Sequence, residues 1–520
     1  MTAPVRTVTP SLAAAAALAL AMLAGCAAAP DAAPPHAYAL PAASLLPVLE
    51  RVTWGASTST WREAKAEGID RYLDRQLHPG LDDGLPPAVA AQIGAFDIAR
   101  QPMETLVIGL EAQRRALDAL PDEADRKAAR EAYQDSLNRL AKQAAARSLL
   151  RDVYSHNQLQ EQMTWFWLNH FSVHQGKHNL RAMVGDYEDR AIRPHALGKF
   201  RDLVRATVFH PAMLRYLDNE QNSAGHVNEN YARELMELHT LGVGGGYMQK
   251  DVQELARILT GLGVNLGAGR PKVRRELEGQ YMRRGLVEFN PARHDYGDKV
   301  LLGQPLKGAG LAEIDAAIDR LCASPATARH VSRKLALFLT GSDPSPRLEG
   351  ELVERFQRSG GDIAQVLAAL FAAPEFRQSL GTAFRDPVHY VVASVRMAYD
   401  DRPILNATPM ANWLNRMGEP LYGRQTPDGY PLQASSWQSA GQMTTRFDIA
   451  KTIGAGSAGL FRTDGEQAAD RPAFPQLANA LYYEAVQATL GPATRAALNE
   501  ATSPQEWNTF LLSAPEWMNR

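Results

Sequence analysis

Apolar positions in this chain recur mostly at helical spacing. Trp61 to Gln76 carries apolar residues close to 3.6 apart and stops before Pro79-Gly80, which predicts one helix. Residues 104–150 are Ala-rich and alternate Arg/Lys with Asp/Glu at helical spacing; Pro121 is expected to split them into two solvated helices. Val252, Leu255, Ala256 and Leu259 follow the i, i+3, i+4, i+7 rule of a buried amphipathic helix. Ala312 to Cys322 and Ala326 to Thr340 read the same way, the second closed by Gly341 and Pro344.

Two stretches break the pattern. Residues 263–305 are Gly-rich with short apolar runs, Leu286-Val287-Glu288-Phe289 and Val300-Leu301-Leu302, and predict a small β-hairpin insertion. Gly418 to Gly441 is dense in Gly, Pro, Gln and Ser, and too long for a mere connection. With no repeat at a solenoid period, the expected fold is mainly α. It is one large irregular multi-helix domain over residues 46–520, carrying the hairpin at 263–305 and the irregular loop at 418–441.

The N-terminal segment is of another kind. One positive charge, Arg6, precedes an Ala/Leu-rich run from Leu12, and Leu23-Ala24-Gly25-Cys26 closes it. This predicts a lipoprotein signal peptide, residues 1–25, with a lipobox whose cysteine would take a diacylglycerol and become the first mature residue. Residues 26–45, rich in Pro and Ala, would be a flexible tether. Ala27 rather than Asp after the cysteine points to the outer membrane of a Gram-negative envelope, on its periplasmic or surface face. No later stretch reaches the roughly 18 apolar residues of a bilayer span. Losing the signal removes Arg6 and no acidic residue, leaving 54 basic against 57 acidic residues. A chain so near neutrality has no electrostatic footprint for nucleic acid. Cys322 is the only other cysteine, so the mature chain cannot form an internal disulfide.

Nine of the 13 histidines lie between His156 and His294, so candidate chemistry concentrates there, in three clusters. In Trp165-Phe-Trp-Leu-Asn-His170-Phe-Ser-Val-His174, helical spacing puts Trp167, His170, Phe171 and His174 on one face. Two imidazoles one turn apart could hold a metal ion or could be hydrogen-bonded core histidines; the zincin Glu after the first His is absent. In Asn228-Glu-Asn-Tyr-Ala-Arg233-Glu234-Leu-Met-Glu237-Leu-His239, Asn228 reads as an N-cap. Glu229, Arg233 and Glu237 form an i, i+4 ladder, and Glu234 or Glu237 beside an imidazole could be a ligand or general base. The third cluster, His294-Asp295 near Lys299, is either a metal-ligating or oriented-base pair or an Asx-turn. There is no Gly-x-Ser-x-Gly elbow, no Walker loop and no Gly-x-Gly-x-x-Gly after a strand. Arg181, Arg190 and Arg193 with His195 could bind an anionic group but read first as a solvated helix rim, and Cys322 reads as an inert buried thiol.

These motifs resemble the bacterial family catalogued as domain of unknown function 1800. The likeness is carried by Arg51-Val-Thr-Trp-Gly55, Trp165 to Phe171, Pro211 to Asn219, Asn228 to Gly242, Asp251 to Gly261, and His294-Asp295 with Lys299 and Leu302-Gly303. Agreement is looser around Gly429-Tyr430-Pro431 and Trp437. The resemblance implies an exported, mainly helical protein, often encoded beside a sulfatase-like protein that would be a candidate partner. It implies no defined activity.

Two functions remain open at this point. One is an envelope lipoprotein with a metal-dependent hydrolytic site acting on an envelope or extracellular substrate. A divalent metal would sit on His170 and His174 with His239 or His294; Glu234 or Glu237 would activate its water; Asn228, Arg233 and Asp295 would bind substrate. The other is a non-catalytic binding or scaffold lipoprotein, with the same residues forming a structural network.

Overall fold

A computed structural model describes residues 1–2, 38, 40–267, 269–462 and 474–520. The signal peptide, Cys26 and most of the tether lie outside the described residues. The fold is mainly α with two small antiparallel sheets. No described helix is long and apolar enough to cross a membrane.

The chain enters through α1 (Leu45–Val52), α2 (Thr58–Glu67) and α3 (Ile69–Leu77). The single helix expected over Trp61–Gln76 is therefore two, broken at Gly68, whose φ of 88° no continuing helix can accommodate. The charged stretch is split as expected, into α4 (Met103–Asp118) and α5 (Glu123–Tyr154). Asp122 caps α5 by accepting from the Ala124 and Asp125 amides. At 32 residues α5 is about 48 Å long. Its C-terminal half is no solvated rod: Leu137, Leu140, Ala144 and Leu149 are buried.

Then come α6 (Gln158–His170), α7 (Phe200–Val208), α8 (Asn230–Glu234) running into a π-helical turn at Leu235–Thr240, and α9 (Gln249–Ile258). The region read as one hairpin is richer. Strands β1 (Leu262–Val264), β2 (Met282–Arg284) and β3 (Val287–Phe289) form a sheet in the order β1-β3-β2, with Leu262 opposite Phe289 and Met282 opposite Phe289. Strands β4 (Lys299–Leu301) and β5 (Gln304–Leu306) form a separate hairpin. Its turn holds Leu302 at φ 50°, a conformation a leucine seldom adopts, and the Asp251 carboxylate fixes it by accepting from the Leu302 amide at 2.7 Å.

Helices α10 (Leu311–Ala323) and α11 (Pro325–Thr340) match the expected amphipathic pair, and α11 ends at Gly341 in the left-handed region. α12 (Pro346–Arg358), α13 (Ile363–Ala372), α14 (Pro387–Tyr399), α15 (Thr408–Arg416), α16 (Ala440–Gly454) and α17 (Pro504–Ser513) complete the main elements. All 13 residues of α14 are buried, and it packs on α5, α15 and α16. Gly55 lies where α1 turns into α2 against it, and a Cβ there would stand 2.6 Å from that of Ala393. The fully buried Arg51 guanidinium donates to the carbonyls of Leu339, Ser379 and Arg520, joining α1 to the end of α11. Those contacts give the Arg51-to-Gly55 motif a packing role.

Candidate functional site

α6 delivers His170 at its last position. The helix stops there, and Phe171 leaves helical geometry with its carbonyl accepting from the buried Tyr187 hydroxyl at 2.8 Å. His174 therefore does not share a helix face with His170. It lies in the following loop, packed over Gly176, where a Cβ would come within 2.5 Å of its Nε2.

His170 meets residues from two other segments. The π-helical turn opens one register at Glu234, so that Leu241 N donates to Met236 O rather than to Glu237 O. This rotates His239 fully inward, at 0% exposed. Helix ends leave carbonyls without intrahelical partners, and imidazoles take two of them. His170 Nε2 donates to His239 O at 3.0 Å and His330 Nε2 donates to Leu238 O at 3.1 Å. Lys334, one turn after His330 on α11, donates to His170 Nδ1 at 2.9 Å. The His170 ring centroid lies 6.0 Å from that of His239 and 5.8 Å from that of His330, and Phe166, Phe171 and Phe200 surround them.

Burial governs the charge of this cluster. It drives the His170 imidazolium well out of favour, reinforced by Lys334. Burial and Lys334 push His239 down to about 3 and His330 down to about 4. Burial also lowers the Lys334 ammonium to about 8, opposed by the charge of Asp428. The rings are therefore neutral beside one partly desolvated amine. Neither ring nitrogen of His239 has a hydrogen-bond partner, and the buried Tyr231 hydroxyl has none either.

The carboxylates of the second cluster lie at the rim. Glu229 pairs with Arg233 at 3.0 Å as the ladder requires, and Arg233 also donates to Gln249. Glu237 leaves the ladder because of the π turn and accepts from Tyr247 Oη at 3.3 Å. Burial raises Glu234, helped by Glu237 and Asp428 and opposed by Arg233. The Asn228 side chain accepts from the Asn230 amide at 3.0 Å, the bond expected of a capping residue, and donates to Asp218 O, while Glu229 after it is already helical and makes no side-chain cap bond.

His294 belongs to another place. Its Nδ1 faces Thr260, and its Nε2 donates to Glu313, whose second oxygen accepts from Lys299 at 2.7 Å; all three side chains of that ionic triad are wholly buried. Glu313 also accepts from Gly310 N at 3.1 Å at the start of α10. Asp295 is clamped by Arg257, which holds its carboxyl low, and by Gly297 N. The third motif thus pins the sheet region to α9 and α10. Among the described residues no group of three or more His, Cys, Asp or Glu side chains is placed to hold a metal ion. The structure brings His170 and His239 together and leaves His174 and His294 apart from them.

A family model described as protein of unknown function (DUF1800) matches residues 47–519. The chain belongs to that family. No curated protein and no solved structure matches it. Within this DUF1800 chain, the matched motifs converge largely through hydrogen bonds to backbone: Asn219 donates to Leu259 O and Leu262 O, and Asn222 to Ala256 O. The loop after Gly418 joins them. Asn169 and Tyr430 exchange two hydrogen bonds, Asn169 Nδ2 to Tyr430 O at 3.0 Å and Tyr430 N to Asn169 Oδ1 at 2.6 Å.

Sequence reasoning missed His330, Lys334 and Asp428. A signal existed for Lys334, which falls in the apolar stripe Thr327, Val331, Lys334, Phe338 of α11, where a lysine is out of place. Asp428 carried none, since a loop residue has no periodicity to violate.

Proposed function

We propose that this chain is a lipid-anchored bacterial envelope protein that binds its partner without transforming it, and that its histidine cluster is a hydrogen-bonded core network. What supports this is the use of the imidazoles: His170 and His330 donate to the otherwise free carbonyls at the end of the π-helical turn, and Lys334 occupies the remaining nitrogen of His170. A ring with both nitrogens engaged and 2% exposure offers no open coordination position. Hydrogen bonds of this kind, joining side chains of α6 and α11 to the backbone of the π-helical turn, hold those three segments in one packing arrangement.

Metal-dependent hydrolysis, with Glu234 or Glu237 activating water, keeps one observation in its favour. His239 holds two buried ring nitrogens without partners, and the same segment carries a carboxyl at Glu234 raised by burial. Elemental mass spectrometry of residues 27–520, before and after incubation with zinc, manganese or calcium, separates the two. The network reading expects no stoichiometric metal, and a less stable His170→Ala chain. One metal per wild-type chain, lost from folded His170→Ala and His239→Ala variants, would overturn it.

A further inference from the structure

A cavity of about 530 Å³ opens between α5, the loop following α6, and α15. That volume lies in the range of ordinary small-molecule sites. Its polar wall comes from Asn138, Lys142, Gln175, Arg181, Asn412 and Asn415. The spacing is helical on both sides: Asn138 and Lys142 are four apart on α5, and Asn412 and Asn415 three apart on α15, so each pair shares one face. Small side chains, Ala141, Ala145 and Ala411, also line it and take up little of its volume.

Two features of this wall select a ligand. First, it is cationic. None of its lining residues is acidic, although the chain as a whole carries a formal net charge of −2. Lys142 is exposed and makes no ion pair among the described residues. Arg181 is held in place by neutral acceptors, donating to Asn138 Oδ1 and Gln134 Oε1 at 2.6 Å each, so its charge is oriented without being neutralised. Concave cationic walls of low dielectric attract anions more strongly than flat ones. Second, the wall is rich in amides. Asn138 Oδ1 is engaged by Arg181 and Gln175 Nε2 by Leu421 O, while Asn412 and Asn415 each present a donor and an acceptor side by side, which matches a hydroxyl that both gives and accepts. No aromatic residue lines the cavity, so there is no slot for a stacked base.

We propose that this cavity binds an anionic saccharide, a hydroxyl-bearing ring that carries a carboxylate or a phosphate. The anion would face Lys142 and Arg181, and the ring hydroxyls would meet the amides of α5 and α15. This deepens the reading of the chain as a binding protein and rests on it.

Calorimetric titration of residues 27–520 with trigalacturonate, glucose 6-phosphate, neutral maltotriose and inorganic phosphate tests it. At least one acidic saccharide should bind saturably, and maltotriose and inorganic phosphate at least about tenfold more weakly. Which acidic saccharide binds identifies the anion as carboxylate or phosphate. Lys142→Glu should weaken binding by about tenfold or more, while the equally exposed Lys250→Glu leaves it unchanged. Saturable binding of neither acidic saccharide, equal binding of maltotriose, or indifference to Lys142→Glu would each overturn the proposal. Mass spectrometry of the same mixtures keeps the two readings apart: shortened saccharide in the wild-type sample would end the non-catalytic reading and leave the cavity's ligand standing.

Discussion

At the scale of single residues, the chain invests in neutral imidazoles. His239, His330 and His389 have folded pKa values near 3, 4 and 4, burial being the first cause for each. An unfolded imidazole titrates near 6.5, so on acidification the unfolded chain takes up protons first. Their contribution to stability is therefore complete above about pH 6.5 and is lost progressively as pH falls towards 4. At pH 5 each ring withdraws about 2 kcal/mol. The buried carboxyls of Asp152 and Glu419, raised by burial, act in the opposite sense, so the imidazole contribution is read by difference. Relative to the unsubstituted chain, His239→Gln should raise the urea midpoint of residues 27–520 at pH 5 compared with that at pH 7. An unchanged difference between the two pH values would mean that this ring is charged or solvated in the folded chain.

At the scale of elements, the decisive devices are departures from regularity. The π-helical turn at Leu235–Thr240 moves His239 inward and takes Glu237 off its ladder, and neither change follows from a 3.6-residue period. The loop expected at 418–441 is real and docked, with helix resuming at Ala440. Its anchor is Gly429, at φ 78°, where a Cβ would lie 2.2 Å from Asn169 O. Gly429→Ala combines a disfavoured backbone with a collision against the end of α6. It should destabilise the chain by at least about 2 kcal/mol. The loop should also become cleavable by trypsin at Arg424, and unchanged protease resistance would show that it is held elsewhere.

For the whole molecule, the question is how it is held in the cell. The described residues contain no membrane-crossing helix, and Leu23-Ala24-Gly25-Cys26 is the segment proposed as a lipobox. One acyl chain gives only marginal membrane binding, whereas a diacylglycerol with a further chain anchors stably. Expressed with residues 1–26 intact in a Gram-negative host, the protein should incorporate labelled palmitate and sediment with outer membranes. Cys26→Ser should abolish the label and shift the chain out of the membrane fraction. Label retained on the variant would refute the lipobox reading.

The sequence by itself determined the helical class, the break before α5, the amphipathic helices α9, α10 and α11, and membership of the DUF1800 family, because periodicity and long motifs are local properties. It also marked the right segments for His170 and His239. It could not tell which histidines meet. That depended on where α6 stops, on one extra residue in a helical turn, and on a lysine of α11 entering from more than 90 positions away along the chain from His239. His174 and His294 carried as strong a local signal as His170, yet the loop after α6 and the ionic triad at Glu313 send them elsewhere. The cavity between α5 and α15 left one faint mark in the sequence, Arg181, a candidate anion-binding residue that reads first as part of a solvated rim. Its Asn and Lys residues look like ordinary solvated helix faces until a second helix is set opposite them, and only tertiary packing does that.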